Sequence, residues 1–214
     1  MRDKEIRIIC YGDSNTWGYI SGSNHKRYLK NQRWTGILQN LLGKECLVVE
    51  EGLNSRTLIS NDERPGKEGK NGSEYLIPCL DTHDPIDYVI LMLGTNEMKA
   101  VYNKDIEEIG SLIEEYFIKV ILNRKSQFLE TTPKLIIVTP PLVNEITDYC
   151  KNKYEGANLK SQALNSIYKK LSIKYNCIFV DNVGLDTGID GVHLNEKSHK
   201  LLAGKIYNCL KENI

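Results

Sequence analysis

Residues 6–18 read IRIICYGDSNTWG, a largely apolar run that ends at a glycine and becomes polar at once. Residues 6–11 do not alternate between apolar and polar positions, which is typical of a strand buried on both faces of a sheet. Four further runs of strand length share this character, at residues 46–49, 88–93, 135–139 and 177–180. The opening stretch therefore predicts the first strand of a sheet that is covered on both sides.

Between these runs, apolar residues recur every three or four positions, which predicts helices with one apolar face. The four patterns start at or near Trp34, Ile106, Leu164 and Asn195. Asp105 predicts an N-terminal cap with Glu108 as its reciprocal partner, and Gly43 predicts a helix end. Strands that alternate with helices favour an α/β fold with a parallel sheet and right-handed crossovers. We expect one domain over residues 1–214.

Two long segments lack this periodicity. Residues 60–73 are rich in glycine, asparagine and charge, which predicts a surface loop, and residues 143–158 are irregular. Long loops in a compact α/β domain commonly border a site or carry an oligomer contact. The two segments therefore predict either the wall of a substrate pocket or the contact of a homo-oligomer.

Charge and cysteine content narrow the class of protein. Basic and acidic residues balance at 28 each, so we expect no nucleic-acid partner and a small, uncharged or weakly polar substrate. The apolar run near the N-terminus is too short for a signal peptide or a membrane span, which predicts a cytoplasmic protein without membrane contact. The six cysteines show no metal-ligand spacing and are expected to be mostly buried free thiols. We expect neither a metal nor a cofactor.

The carboxyl ends of parallel strands share one edge of the sheet, where open α/β sheets bind their ligands. The polar segments that follow the strands are Gly12-Asp13-Ser14, residues 50–57, Gly94-Thr95-Asn96-Glu97 and Asp190-Gly191-Val192-His193. All four open on the same edge. The sequence thus predicts that Ser14, Asn96 and His193 lie close together.

These residue types suit nucleophilic catalysis. A serine hydroxyl needs a base to accept its proton and a third group to orient that base. His193 can serve as base for Ser14, while Asp190, three residues earlier, can hold the imidazole in the correct tautomer. Attack on an ester carbonyl builds negative charge on its oxygen, which neutral donors stabilise. The side-chain amide of Asn96 and the backbone N–H groups of Ser14 and of residues 52–55 are the candidate donors.

Together these blocks resemble the SGNH hydrolases, also called GDSL esterases. Gly12-Asp13-Ser14 is similar to the first block of that family, Gly94-Thr95-Asn96-Glu97 to the third and Asp190-Gly191-Val192-His193 to the last. The resemblance implies a three-layer α/β/α, flavodoxin-like fold with a five-stranded parallel sheet in the order 2-1-3-4-5. It also implies the following site: Ser14 as nucleophile, Asp190 and His193 as its partners, and Ser14, Asn96 and Ser55 as oxyanion donors, with Gly52 as the alternative to Ser55.

Two residues depart from the family pattern. Asn15 follows the serine where members often have leucine, which should alter packing rather than chemistry, and Ser55 stands where the second block usually has glycine. Residues 17–18, 33–36, 50–53, 56–57 and 92–96 are similar to the arylesterase and acyltransferase branch. That similarity implies a serine esterase that hydrolyses short-chain, acetyl-type esters and passes acyl groups to alcohols.

Some of these residues also have a structural interpretation. Asp13 is expected mainly to hold the turn that presents Ser14, and it is a candidate for the substrate pocket together with Trp17. Arg56 and Glu97 are candidates for a buried pair that braces the oxyanion loops.

Other functions use the same features. A deacetylase of acetylated carbohydrates or an acyl thioesterase would need the same triad. A remoter alternative is a flavodoxin-like FMN-binding protein, whose first loop would hold the flavin phosphate with backbone N–H groups. That alternative gives no reason for Asp190 and His193. His83, which precedes Asp84-Pro85, is the weaker second candidate for the base.

Overall fold

A computed structural model describes residues 5–214 and contains one parallel sheet of five strands. The strands are β1 (Ile6–Gly12), β2 (Cys46–Gly52), β3 (Tyr88–Met92), β4 (Lys134–Val138) and β5 (Ile178–Val180). Their order is β2-β1-β3-β4-β5, and every neighbouring pair is parallel. The predicted fold and strand order are confirmed. β2 continues through residues 50–52, which the sequence pattern leaves in the following loop.

Helices cover both faces of the sheet. They are α1 (Ser14–Trp17), α2 (Trp34–Leu42), α3 (Gly72–Thr82), α4 (Ile106–Ile113), α5 (Lys119–Asn123), α6 (Asp148–Lys153), α7 (Ala157–Lys174) and α8 (Glu196–Lys211). α2 and α8 pack on one face, and α3, α4, α5 and α7 on the other. The three layers follow from the alternation of strands with helices.

Neighbouring residues of β1 contribute to opposite halves of the core. Ile8 and Cys10 belong to the cluster that includes Trp34 of α2, whereas Ile9 and Tyr11 belong to the cluster that includes Phe117. All four strand residues are fully buried. Side chains alternate across a strand, so a strand between two helical layers must be apolar on both sides. This is the physical reason for the continuous apolar runs.

Helix boundaries agree with most of the predicted signals. Gly43 ends α2 with φ of 74°, and the Asp105 carboxylate accepts the Glu108 N–H at 2.7 Å at the start of α4. The reciprocal half of that capping box is absent among the described contacts, because the Glu108 carboxylate instead accepts from Lys104. Asn195 caps α8 through the N–H of Ser198 at 2.9 Å.

Three features were not evident from the pattern. α3 begins at Gly72, within the predicted loop, and contains Pro78, a residue that normally marks a helix break. α6 is a short helix capped by Thr147 inside the second irregular segment. A π-helical turn over Glu114–Ile118 separates α4 from α5, where the periodicity predicts one regular helix.

Two further expectations concern the chain as a whole. All six cysteines are free, and four of them are buried: Cys10, Cys46, Cys79 and Cys150. No helix within residues 5–214 combines the length and the apolar character needed to cross a membrane. Residues 1–4, which contribute to the prediction of a cytoplasmic protein, lie outside the described residues.

Candidate active site

Ser14 is placed by the turn from β1 into α1. Asp13 is the N-cap of this short helix, and its carboxylate accepts the N–H of Asn15 at 2.9 Å. Ser14 is the first helical residue, so its own N–H has no partner within the helix. Its side chain is 8% exposed and lies at the carboxyl edge of the sheet. The turn therefore presents both a hydroxyl and a free N–H group at one point.

His193 lies between Ser14 and Asp190. Its Nε2 is 2.9 Å from Ser14 Oγ, and its Nδ1 is 2.7 Å from Asp190 Oδ2. An ionised carboxylate can only accept a hydrogen bond, so we assign the imidazole proton to Nδ1. Nε2 is then the acceptor for the serine hydroxyl. The structure thus brings together the three side chains that the sequence singled out.

The Asp190 carboxylate is held as an anion. Burial opposes its ionisation, but the hydrogen bond and charge of His193 and the N–H groups of Val192 and His193 lower the pKa of Asp190 well below its usual range. The N–H of Gly22 adds a further contact to Oδ2 at 3.2 Å. A fixed anion in this position favours the Nδ1–H tautomer and stabilises an imidazolium when one forms.

Two residues near Ser14 hold the segment that carries His193. The Asn15 side chain accepts the N–H of Leu194 at 2.8 Å and donates to the carbonyl of Val192 at 3.4 Å. The ring of Tyr19 lies against the imidazole with 4.4 Å between centroids. Asn15, at the position where the family often has leucine, is therefore a polar link between the serine and histidine segments. Sequence reasoning did not identify Tyr19, because a single tyrosine in a polar loop has no periodic signal.

The candidate oxyanion donors come from two further strand ends. Asn96 follows β3, and its side-chain amide donates one N–H to the carbonyl of Arg56 at 2.9 Å, which fixes its orientation. Ser55 occupies the third position of a turn closed by the Arg56 N–H and the Leu53 carbonyl at 3.0 Å, and its φ is 66°. This position of a turn favours glycine. Gly52 is a glycine for another reason, since a Cβ there would lie 2.3 Å from the backbone nitrogen of Trp17.

A cavity of about 510 Å³ opens at these groups. Ser14, Gly52, Ser55, Asn96 and His193 all line it. The volume lies within the range of roughly 300–1,000 Å³ that is usual for small-molecule sites. Residues of both irregular segments, 60–73 and 143–158, form part of the wall.

The two candidates for the substrate pocket have different positions. Trp17 lines the cavity. Asp13 does not: it is 1% exposed at the N-terminus of the helix that it caps, where burial raises its pKa. The structure therefore corrects the expectation for Asp13, because the Asn15 N–H holds its carboxylate away from the cavity.

The expected pair between Arg56 and Glu97 does not form. The Arg56 guanidinium donates to the carbonyls of Gly12 and Glu51 and lies over the ring of Tyr11 at 4.1 Å. Glu97 instead accepts from the N–H groups of Ile59 and Ser60 at 3.1 and 3.2 Å and from the Ser60 hydroxyl. Both side chains therefore form hydrogen bonds with buried backbone groups that would otherwise lack partners, and not with each other.

One group of side chains has the spacing of metal ligands. Cys79 and His83 lie one turn apart near the end of α3, and their ligand atoms and that of Glu51 lie within 4.8 Å of one another. The sequence analysis expected no such spacing among the cysteines and histidines, and the structure corrects this. The group could not be recognised from the sequence pattern, because that pattern did not predict α3. Burial and the charge of Glu51 raise the pKa of the Cys79 thiol to about 12. None of the three lines the Ser14 cavity, and His83 contacts Glu51 at 2.8 Å rather than serving as a base for Ser14.

A 2-1-3-4-5 parallel sheet with a serine, a histidine and an asparagine at its carboxyl edge defines a class, the flavodoxin-like hydrolases. A family model for GDSL-like lipase/acylhydrolase proteins matches residues 8–206. The chain belongs to this family, and the protein is a carboxylester hydrolase of the SGNH/GDSL type.

Solved structures agree with this assignment. The native aryl esterase of M. smegmatis is 32% identical, with a TM-score of 0.89 over 98% of this chain and 100% of that chain. Est24, a carbohydrate acetylesterase from Sinorhizobium meliloti, is also 32% identical, with a TM-score of 0.90 and the same coverage. A search of curated protein sequences gave no match. These findings favour a hydrolase over the FMN-binding alternative.

Proposed function

We propose that the protein is a serine esterase that hydrolyses short-chain, acetyl-type carboxylic esters through an acyl-enzyme at Ser14. The observation that carries the proposal is the chain of contacts from Ser14 Oγ to His193 Nε2, 2.9 Å, and from His193 Nδ1 to Asp190, 2.7 Å. A serine within hydrogen-bond reach of a base that is itself oriented by a carboxylate is the arrangement that acyl transfer requires.

The reaction proceeds in two halves. Ser14 Oγ attacks the ester carbonyl while His193 Nε2 takes the hydroxyl proton, and the Asp190 anion stabilises the imidazolium. The tetrahedral intermediate collapses, the C–O bond to the alcohol breaks, and His193 returns the proton to the leaving oxygen. Water then attacks the acyl-enzyme while His193 takes its proton, the bond between the acyl carbon and Ser14 Oγ breaks, and His193 returns the proton to Oγ as the acid is released. An alcohol that replaces this water receives the acyl group, which is the proposed transferase activity.

Three neutral donors stabilise the oxyanion in this proposal. They are the N–H of Ser14, the side-chain amide of Asn96 and the N–H of Ser55, with Gly52 as the alternative to Ser55. A single donor of this kind is worth roughly 3–4 kcal/mol in the barrier. Neutral donors suit the role because they stabilise a transient oxyanion without holding a carboxylate product as strongly as a cation would.

A second candidate is the deacetylation of carbohydrates. It is favoured by the similarity to Est24, a carbohydrate acetylesterase. Turnover of acetylated sugars, p-nitrophenyl acetate and an acyl thioester, measured side by side, separates this candidate and the thioesterase alternative from the aryl esterase.

The decisive experiment replaces the nucleophile. Ser14→Ala should lower the kcat for p-nitrophenyl acetate by at least about a thousandfold, since the covalent route is lost while the donors remain. Ser111→Ala, which removes an exposed hydroxyl from α4, is the matched control and should keep the activity. An organophosphonate should label Ser14, as located by mass spectrometry. Substantial activity in Ser14→Ala, with an unchanged circular dichroism spectrum, would refute the proposal.

A further inference from the structure

The cavity at Ser14 is cationic although the chain carries no formal net charge. Five of its lining residues are basic: Arg64, Lys67, Lys70, Lys99 and Lys153. No carboxylate lines it anywhere in residues 5–214. Basic and acidic residues balance at 28 each, so the fold rather than the composition has separated the charges. This argues against the uncharged substrate that the balanced composition indicates.

Lys99 is the unusual member of the group. Its side chain is 2% exposed, and its Nζ forms no hydrogen bond with any residue of the described chain. Asp62 and Asp13 attract it electrostatically, but neither forms an ion pair with it. Asp62 is bound by Arg64 at 2.7 Å, and the Asp13 carboxylate accepts the Asn15 N–H. A buried ammonium without a partner lowers the stability of the folded protein, whereas a solvated lysine at the surface does not.

Two of the other cations line the same two cavities as Lys99. Arg64, Lys99 and Lys153 line both the Ser14 cavity and an adjoining cavity of about 810 Å³. Lys153 donates to the hydroxyl of Tyr149 at 2.8 Å, which leaves it further protons to donate. Arg64, Lys99 and Lys153 are therefore common to both cavities, and Ser14 and His193 line one of the two.

We propose that the physiological substrate is an ester with an anionic group, which Lys99, Lys153 and Arg64 bind while the ester carbonyl lies at Ser14. This inference rests on the esterase function proposed above and specifies its substrate class. Charge-assisted hydrogen bonds to a carboxylate or phosphate are stronger than neutral ones, and an anion supplies the partner that the buried ammonium lacks. The anionic group belongs to either the acyl or the alcohol part, and the two cases are tested separately.

Matched esters provide the test. For the alcohol part, 4-acetoxybenzoate is compared with its neutral methyl ester; for the acyl part, 4-nitrophenyl hydrogen adipate is compared with its methyl ester. We expect kcat/KM for at least one anionic ester to exceed that of its neutral partner by at least about tenfold at pH 7 and low ionic strength. Added salt should reduce the ratio. The neutral acetoxybenzoate has the better leaving group, so intrinsic reactivity works against the expected preference.

Variants connect the preference to the named residues. Lys99→Met should bring the ratio of anionic to neutral kcat/KM near one, and Lys153→Gln should lower it about threefold. Lys200→Gln removes an exposed lysine from α8 and should leave the ratio unchanged. If Lys99→Met does not fold, Lys153→Gln and Arg64→Gln decide whether the assigned residues bind the anionic group.

The outcomes separate this inference from the proposed function. If the wild-type protein cleaves the neutral esters with no preference for an anionic one, the substrate class is refuted and the esterase stands. If the preference persists in both Lys99→Met and Lys153→Gln, the assigned residues are refuted. If none of the four esters is cleaved, the proposed function fails and this inference fails with it.

Discussion

Lys99→Met should stabilise the protein, and more at low pH than at high pH. Burial, with the charges of Lys153 and Arg64, lowers the pKa of Lys99 from 10.5 to about 7, against the attraction of Asp62 and Asp13. Each pKa unit corresponds to about 1.36 kcal/mol, so the charged form costs on the order of 5 kcal/mol of native stability. Methionine has a similar length and no charge, and it removes this cost.

The pH dependence follows from the direction of the shift. The folded-state pKa of Lys99 lies below its unfolded value, so between about pH 7 and pH 10.5 the unfolded chain binds the extra proton. Wild-type stability therefore gains from this group as the pH rises through that window. Roughly 2–3 kcal/mol of the cost should disappear between pH 6 and pH 9, and the advantage of the methionine variant should shrink by the same amount.

Urea unfolding of the wild type and of Lys99→Met at pH 6 and pH 9 measures how the stability difference between the two proteins changes with pH. The titration of all other groups largely cancels in this comparison. Lys200→Met, an exposed replacement on α8, controls for the loss of one positive charge. A methionine variant that is destabilised equally at both pH values would show that Lys99 has a partner in solution. The premise of a costly buried ammonium would then be wrong.

Two further outcomes follow from the turns around Ser14. Asn15→Leu should lower kcat about tenfold with a smaller change in KM, because the hydrogen bonds to Leu194 and Val192 that position His193 are lost. Steady-state kinetics on p-nitrophenyl acetate measures this effect, and equal kcat values for the variant and the wild type would contradict it. Ser55→Gly should raise the free energy of unfolding by about 1 kcal/mol, because φ of 66° is strained for a residue with a Cβ. In thermal unfolding Ser55→Ala, which keeps the Cβ, should show no such gain, and a gain there would refute the strain argument.

Much of the fold could be predicted from the sequence for a simple reason. Strands buried on both faces must be apolar throughout, and helices packed on one face must repeat every three to four residues, so both leave a local signal. The failures occur where that signal is weak. α3 contains Pro78 and begins within a polar run, α6 is short, and the π turn from Glu114 to Ile118 does not alter the apolar spacing around it.

The candidate site likewise contains residues that the sequence could predict and residues that it could not. Ser14 and Asn96 come within a few residues of predicted strands, and His193 lies on the segment to which the fifth strand leads. The rule that carboxyl strand ends converge was therefore enough to group them. Asp13 was a candidate for the pocket, yet its carboxylate accepts the Asn15 N–H and it does not line the cavity. Arg56 and Glu97 satisfy separate backbone groups rather than each other. Sequence identifies such polar side chains, but only their three-dimensional surroundings determine which partner each one takes.

The sequence by itself determined the five strands, the helices with a regular apolar period, and the residues that can act as nucleophile, base and carboxylate. These depend on local period and on spacing along one turn. The tertiary structure alone decided the charge of the cavity. The chain is electrically balanced, but five cations from three separate parts of it line this cavity: Arg64, Lys67 and Lys70 from the loop at residues 60–73, Lys99 from the segment after β3, and Lys153 from the end of α6. Coulomb interactions depend on distance in space rather than along the chain, so only folding brings these five cations to the serine.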